Sequence, residues 1–242
     1  MKVSKLRALW IILMSVANML NICGQSVFMR LFNRINRPWV DEKLRTWTRR
    51  VLHLVRVSPI VINPYDTKPQ PGHPTIIMCN HSSLYDIPLS MFAFPNDSMR
   101  MLAKKELSRI PIVGKGMSAA EFPFVDRKNR HQAIKDLQVI KKLLESGIVM
   151  WIAPEGTRSK DGKLNAFKKG GFITAINAKA TIIPIGIRGA DKILPARTLQ
   201  FNLGEPAEIH IGEAIDTSAY TLESKDALIE RVHQVMRGLV GE

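Results

Sequence analysis

A histidine and an aspartate five positions apart, His81 and Asp86, stand in the polar run Cys79-Asn80-His81-Ser82-Ser83-Leu84-Tyr85-Asp86. An imidazole held by a carboxylate is a general base, because the acid fixes the tautomer and stabilises the imidazolium as it forms. On one continuous helix the two side chains would point roughly 140° apart. They meet only if His81 stays on a turn and folds back over the first helical residues. The apolar entry Thr75-Ile76-Ile77-Met78 reads as a buried strand, and Ser82 or Ser83 followed by Asp86 reads as a helix start, which puts His81 on such a turn. The same residues also read as local structure alone, with Ser83 an N-cap, Asp86 its capping-box partner and His81 a solvated turn residue. Cys79 is a conceivable nucleophile two residues from His81, but strand alternation assigns it to the core.

Further chemistry-bearing stretches follow in order. They are Ala103-Lys104-Lys105-Glu106-Leu107, Phe124-Val125-Asp126-Arg127, Pro154-Glu155-Gly156-Thr157-Arg158-Ser159 and Ile183-Pro184-Ile185. Gly156 allows close backbone approach to a ligand, and Arg158 offers a planar fork matched to phosphate oxygens. The alternative for this stretch is a turn in which Glu155 and Arg158 pair with each other. Arg127, at a strand end, is either a phosphate ligand or a solvated edge charge. The pair Lys104-Lys105 has the same two readings. Lys168 and Lys169, at the start of a glycine-containing helix, either meet phosphate or an acidic carrier protein, or are solvated.

This ordered set, Asn80-His81-x4-Asp86 with its four companions, resembles the glycerolipid acyltransferase family, in particular the bacterial 1-acylglycerol-3-phosphate acyltransferases. The resemblance covers the middle of the chain, from the His81 strand to the Pro184 strand. It implies that His81 and Asp86 are catalytic and that Lys104, Arg127, Glu155, Gly156, Thr157 and Arg158 bind the acceptor. It implies transfer of a fatty acyl chain from an acyl carrier protein or coenzyme A thioester to the free hydroxyl of lysophosphatidic acid, giving phosphatidic acid. The thioester is a co-substrate, and no metal, further cofactor or acyl-enzyme is called for. Two departures stand out: Ala153 replaces the usual aromatic before Pro-Glu-Gly-Thr-Arg, and Glu121-Phe122-Pro123 replaces Gly-x-Ile. They open the alternative of another lysolipid acceptor, such as a lyso-ornithine lipid. A non-catalytic anionic-lipid-binding protein and a lipid hydrolase are readings from other classes. The absence of Gly-x-Ser-x-Gly weakens the second of these.

The elements that must position these residues follow from periodicity. Strands are expected at 60–63, 75–79, 99–103, 122–125, 148–153, 181–187 and 208–211, and helices at 83–92, 113–119, 130–145, 167–178 and 222–239. Alternating strands and helices predict an α/β fold with a mostly parallel central sheet of about seven strands flanked by helices. Sites in such folds lie at strand ends, where the motifs fall. Ahead of this domain, assigned to residues 58–242, residues 1–57 read as a two-helix amphipathic membrane-binding hairpin. Its first helix covers the apolar segment 8–29, with Ser15, Asn18, Asn21 and Gln25 as one polar stripe, and Pro38 opens the second. A transmembrane anchor followed by a soluble helix is the alternative.

Charge supports the membrane assignment. The chain of 242 residues carries 35 basic and 21 acidic residues, net +14. Residues 1–60 carry +9 of this and residues 201–242 carry −5. The basic residues flank apolar sequence and no nucleic-acid motif is present, so the expected partner is an anionic membrane surface and not nucleic acid. The expected location is the cytoplasmic face of a bacterial inner membrane. Two cysteines, Cys23 and Cys79, suggest neither a disulfide framework nor a metal site.

Overall fold

The computed structural model describes residues 2–126 and 129–242. The chain begins with α1 (Lys5–Leu31) and α2 (Arg37–Leu54), followed by β1 (Ile60–Ile62), β2 (Thr75–Cys79), α3 (Asp86–Ala93), β3 (Met99–Met101) and β4 (Ala103–Lys104). A 3-10 turn at Lys105–Arg109 leads to α4 (Val113–Ala119), β5 (Phe124–Val125), α5 (Arg130–Glu145) and β6 (Val149–Ile152). The remainder is α6 (Lys169–Asn177), β7 (Thr181–Arg188), α7 (Ala190–Ile193), β8 (Glu208–Ile211), β9 (Ile215–Asp216) and α8 (Lys225–Val240). Side-chain caps set the helix starts where the sequence supplies them. Ser4 accepts from Arg7 N and Asn36 from Trp39 N, and a proline occupies the first turn of α2.

Seven strands form the central sheet in the order β1-β8-β7-β2-β6-β3, with β9 beside β7. The β2–β7, β2–β6, β3–β6 and β1–β8 pairings are parallel, whereas β8 and β9 run antiparallel to β7. The expected strand at 122–125 is not one of the seven: Phe124–Val125 pairs with Ala103–Lys104 in a separate two-stranded ladder. The seventh place falls to β9, whose two residues are too few to show a period.

β2 is buried at every position. Its alternation divides the core: Ile77 and Cys79 pack with α1, α2 and α3, and Ile76 and Met78 with α5, α6 and α8. The central strand is thereby covered on both faces.

The N-terminal helices share the first of these cores, with Ala8, Ile11, Val40, Val51 and Leu52 buried in it. Gly116 of α4 lies so close to α1 that a Cβ there would sit 2.5 Å from the Cα of Cys23. The opposite side of α1 is uncovered. Leu6, Leu9, Trp10, Leu13, Val16, Leu20, Phe28 and Leu31 are exposed, and at 100° per residue they fall within a sector of about 120°. The polar stripe flanks this face and is satisfied locally: Asn18 donates to Met14 O, Gln25 to Asn21 Oδ1, and Arg50 of α2 donates to Asn18 Oδ1.

Two ion pairs fasten α2, one buried and to the sheet, the other half-buried and to the turn after α4. Arg100 of β3 is fully buried and bonds Asp41 Oδ1 at 2.7 Å and Ala120 O at 2.6 Å. Arg37 forks onto both oxygens of Glu121 at 2.8 and 2.9 Å and also bonds the Ser146 carbonyl. Asp97, in the turn before β3, has its carboxyl pushed up to about 6 from 3.8, first by burial and then by the charge of Asp41. With the folded value raised, the unfolded chain ionises this group first, so stability falls as pH rises from about 4 to about 6. Asp97→Asn removes that loss. Urea unfolding is expected to show it more stable than wild type near neutral pH by about 1 kcal/mol, after allowance for solvent screening, and no more stable near pH 4. An equal effect at both pH values would mean that the carboxyl is not raised.

Candidate active site

The turn between β2 and α3 places His81 at the carboxyl end of the central strand, flanked by β6 and β7. One carboxylate oxygen organises it. Asp86 Oδ2 accepts from Ser82 N, Ser83 N and His81 Nδ1, each at 2.8 Å. Ser83 is not the expected N-cap, since α3 starts at Asp86 behind Tyr85 and Ser83 Oγ donates to Leu194 O; the Asp86 side chain nonetheless closes the turn through Ser83 N and also holds the imidazole. Asp86 is fully buried, and its Oδ1 has no hydrogen-bond partner among the described residues. The His81 side chain retains 17% exposure. With Nδ1 engaged, Nε2 is the nitrogen left to accept a proton.

The 154–159 loop grips the same turn from the neighbouring strand. Glu155 Oε1 accepts from His81 N at 2.7 Å, and Ser159 N donates to His81 O at 2.7 Å. Glu155 Oε2 accepts from Asn165 N and Nδ2 at 3.0 and 2.7 Å. Glu155 therefore does not pair with Arg158, and its oxygens are turned toward the His81 backbone and Asn165. Burial pushes its carboxyl above the ordinary value, against the pull of these N–H donors. On the other flank the Asn80 amide exchanges two hydrogen bonds with Ile187, at 3.0 and 2.7 Å, and so extends the β2–β7 pairing by one step.

Behind the imidazole stands Trp151 of β6, edge-to-face with His81 at 5.9 Å between ring centroids. Its Nε1–H donates to Ser90 Oγ at 2.9 Å, and Ser90 donates to Asp86 O at 2.7 Å, so Trp151 braces both members of the dyad. Cys79 is fully buried, and burial pushes its thiol well above the ordinary value, with the nearby Asp86 charge adding. That is the opposite of an activated nucleophile.

Of the expected acceptor ligands, those of the 154–159 loop adjoin this turn. Gly156 adopts φ +75°, a left-handed conformation that a side chain would strain, and a Cβ there would touch the Lys168 side chain at 3.4 Å. Thr157 is exposed and Arg158 half-buried, with no side-chain hydrogen bond or ion pair for Arg158 among the described residues. Lys104 is exposed at the end of β4, whereas Lys105 is paired with Asp126 at 3.0 Å. Arg127 lies outside the described residues.

The family model "Acyltransferase" matches residues 60–188, a span holding every one of these groups. This chain belongs to the acyltransferase family. It is 30% identical over 169 residues to human 1-acyl-sn-glycerol-3-phosphate acyltransferase beta, covering 69% of this chain and 60% of that one. It is 29% identical over 168 residues to the chloroplastic 1-acyl-sn-glycerol-3-phosphate acyltransferase LPAT1 of Arabidopsis thaliana, covering 69% of this chain and 46% of that one. The chain thus spans less than two thirds of these relatives' length. The crystal structure of the 1-acyl-sn-glycerophosphate (LPA) acyltransferase PlsC from Thermotoga maritima superposes with TM-score 0.78 at 25% identity, over 97% of this chain and 93% of that one.

Sequence reasoning on this acyltransferase did not single out Asn80, Ser90, Trp151 or Asn165 as site residues. Asn80 and Trp151 act through partners 107 and 61 positions away, so no local pattern shows what they touch. Glu155 was expected among the acceptor ligands, but its contacts give it a positioning geometry. The two roles separate kinetically. If Glu155 positions His81, Glu155→Gln, which sets an amide N–H against another N–H donor, lowers kcat of acyl transfer by roughly ten- to a hundredfold with KM for the acceptor little changed. A rise in KM alone would return Glu155 to the acceptor-binding set.

Proposed function

We propose that this acyltransferase moves a fatty acyl chain from an acyl carrier protein or coenzyme A thioester to the free hydroxyl of 1-acylglycerol-3-phosphate, giving phosphatidic acid. The observation that carries the reading is the 2.8 Å contact from His81 Nδ1 to Asp86, which leaves Nε2 to act as the base. His81 Nε2 takes the hydroxyl proton as the oxygen attacks the thioester carbonyl. Asp86 stabilises the imidazolium that results. Collapse of the tetrahedral intermediate forms the ester and expels the thiolate, which takes the proton back from His81.

Arg158 and Lys104 are the cations assigned to the acceptor phosphate, together with Arg127. Anchoring the phosphate places the hydroxyl, and such positioning carries a large part of the rate. Their independence from internal ion pairs among the described residues supports this role for Arg158 and Lys104. Thr157 and the left-handed Gly156 complete the loop.

Residues 1–57 serve as the membrane-associated hairpin and residues 58–242 as the catalytic domain. α1, of 27 residues, is long and apolar enough to cross a bilayer. Its packed side against α2 and α4 favours a helix lying in one leaflet, with the exposed leucine stripe toward the acyl chains. Soluble thioesters then reach His81 from the cytoplasmic face of a bacterial inner membrane.

Acyl transfer from a radiolabelled thioester to lysophosphatidate in detergent micelles tests this reading. His81→Ala should lower kcat by roughly a hundred- to ten-thousandfold with folding and membrane binding retained. Arg158→Ala should raise KM for lysophosphatidate by about tenfold, the loss of one charge-assisted phosphate contact. Full activity in His81→Ala would overturn the mechanism. Acylation of other lysolipids in place of lysophosphatidate would overturn the acceptor assignment.

A further inference from the structure

Residues 195–200 connect α7 toward β8 and form a closed turn. Thr198 donates to Pro195 O from both its N–H and its hydroxyl, at 3.2 and 2.9 Å, and Gln200 N donates to Thr198 Oγ1 at 3.3 Å. Arg197 holds φ +62°, a conformation uncommon for a residue with a Cβ. This turn displays Leu199 at 68% exposure beside an exposed Arg197.

Both flanks of the turn are fastened to the catalytic turn. Leu194 O accepts from Ser83 Oγ at 2.8 Å, and Phe201 packs edge-on against Tyr85. The same flank holds the start of α1, since Val3 N donates to Phe201 O at 3.1 Å and Lys2 bridges to Asn202. Leu199 therefore lies within about 8 Å, two Cα steps, of a residue bonded to Val3. Leu6, 79% exposed, follows Val3 by three residues. Leu84, between His81 and Asp86, is 53% exposed.

The charges beside these leucines are basic, with Asp191 and Glu205 the acidic residues that bound the segment. Lys2, Lys5, Arg7 and Arg197 accompany these leucines, and neither residues 1–40 nor residues 192–204 contain an acidic side chain. A cationic, apolar edge complements an anionic lipid surface. We propose that residues 195–200 are a second membrane contact, in which Leu199 enters the bilayer and Arg197 meets anionic headgroups, turning the mouth of the His81 site to the lipid. The inference rests on the hairpin reading given above and adds a contact outside it.

The test uses the full chain with one added cysteine at Leu199, Leu13 or Leu222, carrying an environment-sensitive fluorophore. Cys23 and Cys79 are buried and do not compete for the label. On vesicles of mixed phosphatidylglycerol and phosphatidylethanolamine, the emission of labels at 13 and 199 should shift to the blue. The label at 222, ahead of α8 on the opposite side of the sheet, should not. A shift at 13 without one at 199 overturns the second contact and leaves the hairpin reading standing. No shift at either overturns both, and a shift at all three signals adsorption without orientation and also overturns the proposal. Leu199→Asp should lower vesicle partitioning in flotation by on the order of tenfold. Arg197→Gln should lower it several-fold on anionic vesicles and leave it unchanged on phosphatidylcholine alone; an equal effect on both would remove the headgroup contact.

Discussion

A buried carboxylate is costly unless hydrogen bonds meet its oxygens, and this fold depends on two of them meeting at one turn. Asp86 collects three N–H donors on a single oxygen, and Glu155 collects His81 N together with Asn165. The donors are the backbone of residues 81–83, the imidazole itself and Asn165. Bonding Asp86 Oδ2 and Glu155 and shaping the His81 turn are the same event, so the fold itself holds His81 against Asp86.

The sheet gives the turn its surroundings. β2 lies between two parallel neighbours, and each sends a segment back to His81: Ser159 and Glu155 from beyond β6, Ile187 of β7 through Asn80. Parallel strands bring their carboxyl ends to one edge, so loops far apart in sequence converge there. The two sheet faces then divide the remaining work. One core joins the sheet to α1 and α2 and leaves an apolar stripe of α1 uncovered, while the other is closed by α5, α6 and α8. The His81 edge and the start of α1 are connected through Phe201, Tyr85 and the first residues of the chain.

The continuous β-branched runs of β2 and β7, buried on both faces, and the long amphipathic runs of α5 and α8 make those elements legible from sequence. His81 and Asp86 are legible for a related reason, since a turn-closing carboxylate and a histidine within six residues leave a local mark. What sequence did not carry is whatever depends on register between distant segments. The antiparallel direction of β8, the place of β9 and the pairing of Phe124–Val125 with Ala103–Lys104 outside the main sheet are of this kind. So is Trp151, which reads as one more core aromatic until the strand order sets it against His81. Glu155 shows the same limit within a motif: its identity could be read, but the direction of its side chain is decided by Asn165 and by the backbone of β2's turn.

The departure from the family pattern at Glu121-Phe122-Pro123 can now be given a physical meaning. An acidic residue there, ahead of the Asp126–Arg127 pair, first suggests an altered acceptor site. Glu121, however, is held by the Arg37 guanidinium at both oxygens, and that pairing draws its carboxyl below the ordinary value. Phe122 lies under the guanidinium of Arg100, which bonds Asp41 of α2. Both residues are therefore engaged in fastening the second N-terminal helix to the sheet. A carboxylate already occupied by a forked arginine has little left to offer a phosphorylated acceptor, toward which its charge would be unfavourable in any case. The unusual residues Glu121 and Phe122 thus answer to the attachment of α2.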